Sequence, residues 1–500
     1  MAGGFLPYHE PGIVDILILI SFFFILSLAE WASAKIIRAG IIGQIAVGII
    51  YGKPLADILE LDWQKTFLFL GYVGLILIIF EGGLNARLDL LRANLVLSML
   101  GAATGVCFPI GLSYLLLYFA FGYGAVETFI VGAALSATSL GTTFAVISSA
   151  SSTVDLAQTR VGSVLISAAV IDDVVGLVMA SVIENLGQLR GGGDSGGGGG
   201  GVNLGWLIGR PIVASIAMAI VTPLASKYLF APTFRRFIEH DFARFDHISN
   251  IILMTLSLCA FITIAAYAGT SVLFGAFLAG TFLTYIPSKQ PTGPFVVMSR
   301  EEGEKLAHKS PTFVHTFERY LVDVQKYLME PLFFASIGFA IPFVQLWTGK
   351  RIWRGIVFTL LMVFAKFVVG VWVPIWGRWP ARKQEPSSAS VESSGMENGS
   401  QARAESGEVK DQATTWLSAF LLGSAMVARG EIGLLIIEIG YNETSYVSEE
   451  AFITGVWAIL LNTIIGPATV GLLIKYCGRR IGEGEWGLQR SVIGMEVPPA

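Results

Sequence analysis

This sequence is short of charge. Only 14% of its 500 residues are Asp, Glu, Lys or Arg, against 54% hydrophobic. A soluble domain runs nearer 25% charged, so soluble enzymes and nucleic-acid-binding modules with basic faces are excluded. Cysteine is nearly absent too. Cys107, Cys259 and Cys477 lie in or beside apolar segments, with neither metal-ligand spacing nor a disulfide pattern, and read as small core residues. The first residues, MAGGFLPYHEPG, lack a basic stretch and a small-residue cleavage site. The apolar run that follows is therefore expected to be a retained span and not a removed signal peptide.

What the chain has instead is long hydrophobic runs. About thirteen reach spanning length or approach it. They lie near Ile13–Trp31, Ala39–Tyr51, Thr66–Leu84, Leu95–Phe121, Thr128–Ser149, Val161–Ile183, Leu204–Phe230, Ile248–Ala268, Ser271–Ile286, Leu328–Leu346, Ile352–Trp376, Trp416–Gly440 and Ala451–Tyr476. With the N-terminus outside, 24 of the 33 Lys and Arg fall in inside segments and 7 in outside ones. That is the bias the positive-inside rule expects. The C-terminus then lies in the cytoplasm, and plasma membrane is the favoured residence, endomembrane the alternative. The sequon Asn442-Glu443-Thr444 falls outside and is a glycosylation candidate. Asn398-Gly399-Ser400 falls inside and should stay bare.

Three connecting stretches differ in composition. Residues 191–201 are nearly all glycine and read as a linker. Residues 380–412, rich in Ser, Glu and Gly, read as a disordered cytoplasmic loop. The 287–327 loop carries TFVHTFERYLVDVQKYL, with Phe313, Phe317, Leu321, Val324 and Leu328 at helical spacing. It reads as an interfacial helix or as an amphipathic helix packed on protein. Residues 481–500 form a tail.

One span organises the rest. VGSVLISAAVIDDVVGLVMASVI carries Asp172 and Asp173 in its middle. Each costs about 2.5–3.5 kcal/mol at the centre of a spanning helix. The alternatives are a functional site and an ion pair that only fixes packing. Neighbouring helix residues point about 100° apart, so one Asp can meet a protein partner while the other faces a cavity. Lys366 sits mid-helix, too deep to snorkel, and needs a carboxylate; Asp172 would neutralise it. Arg429 and Glu431 are also mid-span, and Glu81 lies near the inner end of its span. The plainest expectation for Arg429 is a structural pair with Glu81 or Glu431.

Two spans look broken. GAALSATSLGTTFAVISS crowds small and hydroxyl residues into its middle, and the Ala-Arg-Gly-Glu run interrupts the twelfth span. Irregular backbone at membrane depth survives only where it is buried or lines a cavity. Each broken span sits between two continuous ones, and the two sets run in opposite directions. Such inverted pairs mark a transporter binding site.

Rival readings are weaker. An intramembrane aspartyl protease needs its two Asp on facing helices, whereas these are adjacent on one. A cation channel needs no buried lysine in its path. A proton-coupled organic anion carrier would favour unpaired basic residues.

The motifs GIIGQIAVGIIYG, FEGGLNARLDLLR, LSATSLGTT, ISAAVIDDVVGLV, FGAFLAGTFL, EPLFFASIGF, AKFVVG and ARGEIGLLI occur in this order. Together they resemble the monovalent cation/proton antiporter superfamily, in its second branch of paired-aspartate sodium/hydrogen exchangers. The resemblance implies an all-α polytopic fold of about thirteen transmembrane helices, with inverted repeats and two interrupted crossing helices. It implies a transmembrane domain over 1–480, with core helices about 66–183 and 352–476 and dimerisation helices about 13–51 and 204–286. It implies that Asp173 binds the cation or proton, that Asp172 partners Lys366, and that Thr138 and Ser139 lend oxygens. Glu81, Arg429 and Glu431 look like a core structural ion-pair set. The cargo would be Na⁺ or Li⁺, with K⁺ as the rival, against H⁺; the protein would be a homodimer and no enzyme, and no cofactor is implied. A paired Asp with lysine resembles the electrogenic members.

Overall fold

The computed structural model describes residues 10–86, 94–139, 159–191, 204–237, 246–284, 286, 312–378, 414–483 and 486–487. The glycine linker from 192, residues 287–311, the 380–412 loop with Asn398, the tail from 488, and residues 140–149 of the fifth expected span lie outside these. No strand occurs among the described residues. In chain order the main helices are α1 (Ile13–Ile37), α2 (Gly40–Tyr51), α3 (Leu61–Leu84), α4 (Leu95–Ser113), α5 (Ala125–Ser136) and α6 (Arg160–Gly191). Then come α7 (Leu204–Ala225), α8 (Asp246–Ala268), α9 (Val272–Leu283), α10 (Phe313–Tyr320), α11 (Glu330–Ala340) and α12 (Gly349–Phe367). A helix over 414–425, here α13, precedes α14 (Glu431–Asn442) and α15 (Glu449–Glu483).

Eight helical stretches among the described residues are long and apolar enough to cross a membrane, and α2, α5 and α9 are shorter apolar helices. Both runs expected to be broken are interrupted. The fifth stops at Ser136 and the twelfth divides into α13 and α14.

The chain forms two compact units. The first holds Met1–Asn85, Ala217–Tyr267 and Val272–Thr348. Its helices approach closely because glycines face backbone. A Cβ on Gly48 would overlap Ala335, and one on Gly338 would overlap Ile45. Gly83 and Gly280 stand in the same relation to Phe277 and Phe80. Small residues at such crossings let van der Waals packing replace the hydrophobic drive that lipid removes. Phe22 stacks on Phe67 at 5.3 Å, and the Tyr51 hydroxyl bonds Ser21 at 3.0 Å. In α10 the apolar residues Phe313 and Phe317 are buried, with Phe317 5.8 Å from the Phe80 ring, whereas Val324 and Leu328 further on are exposed. The start of this segment is thus packed on protein.

The second unit holds Ala86–Ile216, Ala268–Ser271 and Gly349–Ala500. Two boundaries differ from the expected division. The core set was expected to begin near residue 66, yet α3 belongs to the first unit. Its glycines explain this: Gly71 faces Phe333, Gly74 faces Met329 and Gly83 faces Phe277, all within that unit. The expected 204–286 set is also divided, since residues to Ile216 and Ala268–Ser271 belong to the second unit. There the Ser215 and Thr270 hydroxyls meet at 2.6 Å, and Asn185 donates to the Gly269 carbonyl at 3.4 Å.

Candidate ion-exchange site

Within the second unit, two helices stop in the interior. At the end of α5, Ala137 turns to extended backbone (φ −62°, ψ 137°), and residues 137–139 are not helical. After α13, residues 426–430 leave the helix until Glu431 restarts it as α14. The two breaks meet. The Ser139 amide donates to the Ala428 carbonyl at 2.9 Å. A Cβ on Gly430 would overlap the Ser139 side chain, so the Ala-Arg-Gly-Glu run places a glycine where the two non-helical segments cross. Buried peptide groups freed from a helix need such partners.

Asp172 of α6 lies against this crossing and is fully buried. Lys366 of α12, also fully buried, brings Nζ to 3.1 Å from Asp172 Oδ2. The lysine also donates to Thr138 Oγ1 at 2.9 Å, and the threonine hydroxyl donates in turn to Asp172 Oδ2. Lysine, threonine and aspartate thus close a three-membered ring. Two charges taken out of water are tolerated only when geometry and added hydrogen bonds are this good. Room for Nζ comes from Gly105 on α4, where a Cβ would stand 3.3 Å away.

Asp173 is half-buried, and its Oδ1 has no hydrogen-bond partner among the described residues. The helical turn between neighbours separates the two carboxylates. Asp172 is held by lysine and threonine through Oδ2 alone, its Oδ1 also being without a hydrogen-bond partner among the described residues, while Asp173 has no cation paired with it there. Ser139 places Oγ 3.4 Å from Glu431 Oε2, at the first residue of α14. A helix N-terminus is a favourable seat for that negative charge.

The expected partner of Arg429 is replaced. The fully buried guanidinium donates from Nη1 to the Met426 carbonyl at 3.1 Å, and its Nε and Nη2 have no partner among the described residues. Glu431 has Ser139 as its neighbour, and Glu81, in the first unit, accepts from Gln325 at 2.6 Å. The physical reason is local: breaking the helix frees the Met426 carbonyl, and the nearest strong donor takes it. Thr463 of α15 donates to the Arg429 carbonyl at 3.0 Å. Sequence reading missed Gly105, Gln325, Met426 and Thr463. Only the two glycine-adjacent breaks could have hinted at the Met426 carbonyl. Asn442, the sequon residue, is exposed at the end of α14 with Nδ2 2.8 Å from Glu438 Oε1.

With this geometry, the site can hold one small cation or a proton at a carboxylate beside hydroxyl and backbone oxygens. The chain is similar to known transporters along most of its length. It is 23% identical to the Na⁺/H⁺ antiporter of Enterococcus hirae over 445 residues, 88% of this chain and 92% of that protein. It is also 23% identical to the Na⁺/H⁺-K⁺ antiporter GerN of Bacillus cereus, over 90% of this chain and 92% of the relative. The solved structure of the sodium proton antiporter MjNhaP1 from Methanocaldococcus jannaschii at pH 8 matches it with a TM-score of 0.53. The match covers 94% of this chain and 98% of that one at 15% identity, and shows a shared fold. The transmembrane sodium/hydrogen exchanger model matches residues 18–476. This multi-pass membrane protein therefore belongs to the transmembrane sodium/hydrogen exchanger family, within the monovalent cation/proton antiporters, and is a transporter and not an enzyme.

Proposed function

We propose that this chain exchanges Na⁺ or Li⁺ for protons across a membrane by alternating access, and that the exchange is electrogenic. The observation that carries the reading is the division of labour between two adjacent carboxylates. Asp172 is neutralised by Lys366 and takes the Thr138 hydroxyl on the same oxygen, whereas no lysine or arginine pairs with Asp173 among the described residues; each aspartate keeps a buried Oδ1 without a hydrogen-bond partner there. A carboxylate binds a proton or a cation, but not both at once. If Asp173 faces each side in turn, exchange needs no further machinery. Na⁺ is a hard cation and suits carboxylate, hydroxyl and carbonyl oxygens, of which Ser139 and the broken backbone at 137–139 and 426–430 supply candidates. Lys366 is the group that would make the cycle sensitive to voltage, by releasing Asp172 in one half of it and pairing in the other.

K⁺/H⁺ exchange is the second reading, favoured by the GerN likeness, since that relative is an Na⁺/H⁺-K⁺ antiporter. The same proposal places the N-terminus outside and the C-terminus in the cytoplasm of a surface membrane. It also pairs two copies through α1, whose outward face carries exposed Ile13, Leu17 and Phe24. The test is a transport current. Purified protein on a supported membrane is given rapid Na⁺, Li⁺ or K⁺ steps. A transient current that Na⁺ and Li⁺ evoke supports electrogenic sodium exchange. A current from K⁺ alone transfers the cargo to potassium, and acidification without current makes the exchange electroneutral.

A further inference from the structure

The helix that carries Asp172 and Asp173 does not begin unaided. The first four N–H groups of an α-helix have no partner within the helix. In α6, with Thr159 at the N-cap, the amides of Arg160, Val161 and Gly162 are all met. Thr159 satisfies Gly162 through its side chain at 3.0 Å, and its carbonyl takes the first helical bond, from Ser163, at 2.9 Å. The other two bonds come from more than three hundred residues away. The Arg160 amide donates to the Gly487 carbonyl and the Val161 amide to the Trp486 carbonyl, each at 3.1 Å. Two consecutive carbonyls beyond the end of α15 thus close two consecutive amides of α6.

The side chains at this junction are equally committed. Trp486 is 1% exposed and is the largest fully buried side chain among the described residues. The Arg160 guanidinium lies over its ring at 4.5 Å. The indole packs in one hydrophobic cluster with Val161 and Leu165 of α6, Val369 and Val373 beyond Lys366, and Met426. Met426 is the residue whose carbonyl receives Arg429 at the broken helix. The tail segment therefore touches the start of the ion-site helix and shares a cluster with the helix break and the lysine segment. Asp172 lies about 18 Å further along α6, at 1.5 Å per residue.

We propose that Trp486 and Gly487 form a clasp that positions the ion-site helix, holding the first turn of α6 and with it the register of Asp172 and Asp173 against the crossing. They are positioning residues: they act through α6 and touch no cargo. When the clasp opens, two amides lose their acceptors and the cluster loses its largest member. The N-terminal turn of α6 then frays, and cation affinity falls while the fold stays. The tail becomes a handle on the site, since whatever displaces Trp486 loosens the helix that binds the ion.

The transport readout rests on the exchange reading above; the backbone readout does not. Full-length wild type, Trp486→Ala, Trp486→Phe and Arg160→Ala are compared by amide hydrogen exchange and, in liposomes, by the Na⁺ dependence of proton release. Trp486→Ala is expected to speed exchange at Arg160 and Val161. It should also raise the half-saturating Na⁺ about two- to fivefold, the weight of one lost helix cap, with the maximal rate changed less. Trp486→Phe should restore both. Unchanged amides in folded Trp486→Ala overturn the proposal, and so do fast amides with an unchanged half-saturating Na⁺. If Trp486→Ala does not fold, Arg160→Ala is read by the same two criteria, with the same results supporting or overturning it. If the wild type exchanges no cation, the exchange reading fails and the clasp is decided by the amides alone.

Discussion

A single lysine decides much of this molecule. Lys366 is fully buried, and only its bonds to Asp172 and Thr138 make that tolerable. Lys366→Ala leaves Asp172 uncompensated, which costs about 3–5 kcal/mol when one partner of a buried pair is removed. The melting temperature should fall, and adding Asp172→Asn should recover most of the loss, a coupling that a double-mutant cycle measures. Additive losses would mean that the two do not act as a pair. Exchange by Lys366→Ala should also lose its dependence on membrane potential. Arg429→Ala removes the donor to the Met426 carbonyl and leaves that buried acceptor open, at about 1–3 kcal/mol. Folded yield should drop more than cation affinity; an unchanged yield and melting temperature would contradict this. The need of Lys366 for a carboxylate was legible in the sequence, because a mid-span lysine has few other ways to exist. The partner of Arg429 was not. It is a backbone carbonyl, and carbonyls become available only once a helix breaks.

At the scale of elements, the two interruptions carry the site. Both could be read, one from crowded small and hydroxyl residues and the other from the Ala-Arg-Gly-Glu run, and α5 does end at Ser136 while Glu431 opens a new helix. Their crossing bond, Ser139 to Ala428, could not be read, since hydropathy says where a helix weakens but not what it meets. The same holds for α3. Its stretch from Phe67 to Phe80 is apolar all round, and only the facing of Gly71, Gly74 and Gly83 assigns it to the first unit. Gly430→Ala tests the crossing. The added Cβ overlaps Ser139, so the two non-helical segments must part. Exchange should fall at least as far as in Ser139→Ala, in protein that still elutes as a folded species. Wild-type rates in Gly430→Ala would show that the close approach is dispensable.

For the whole molecule, the account makes proton and cation rivals for one carboxylate. Lowering the pH should raise the cation concentration needed for half-maximal exchange while leaving the maximal rate less affected; a half-maximal concentration independent of pH would point to separate sites. The family and the all-helical fold were legible in the ordered motifs and long apolar runs, and the match over residues 18–476 confirms the family. The bounds of the half-helices were not legible, because apolar letters mark where a span runs and not the residue at which its backbone leaves the helix. The most direct test of the central claim uses purified protein in liposomes with an acidic interior. Na⁺, Li⁺ or K⁺ is added outside and internal pH is followed by a dye, with Asp173→Asn in parallel. The account predicts cation-dependent alkalinisation in the wild type that vanishes in folded Asp173→Asn. Alkalinisation that persists in the mutant would contradict it.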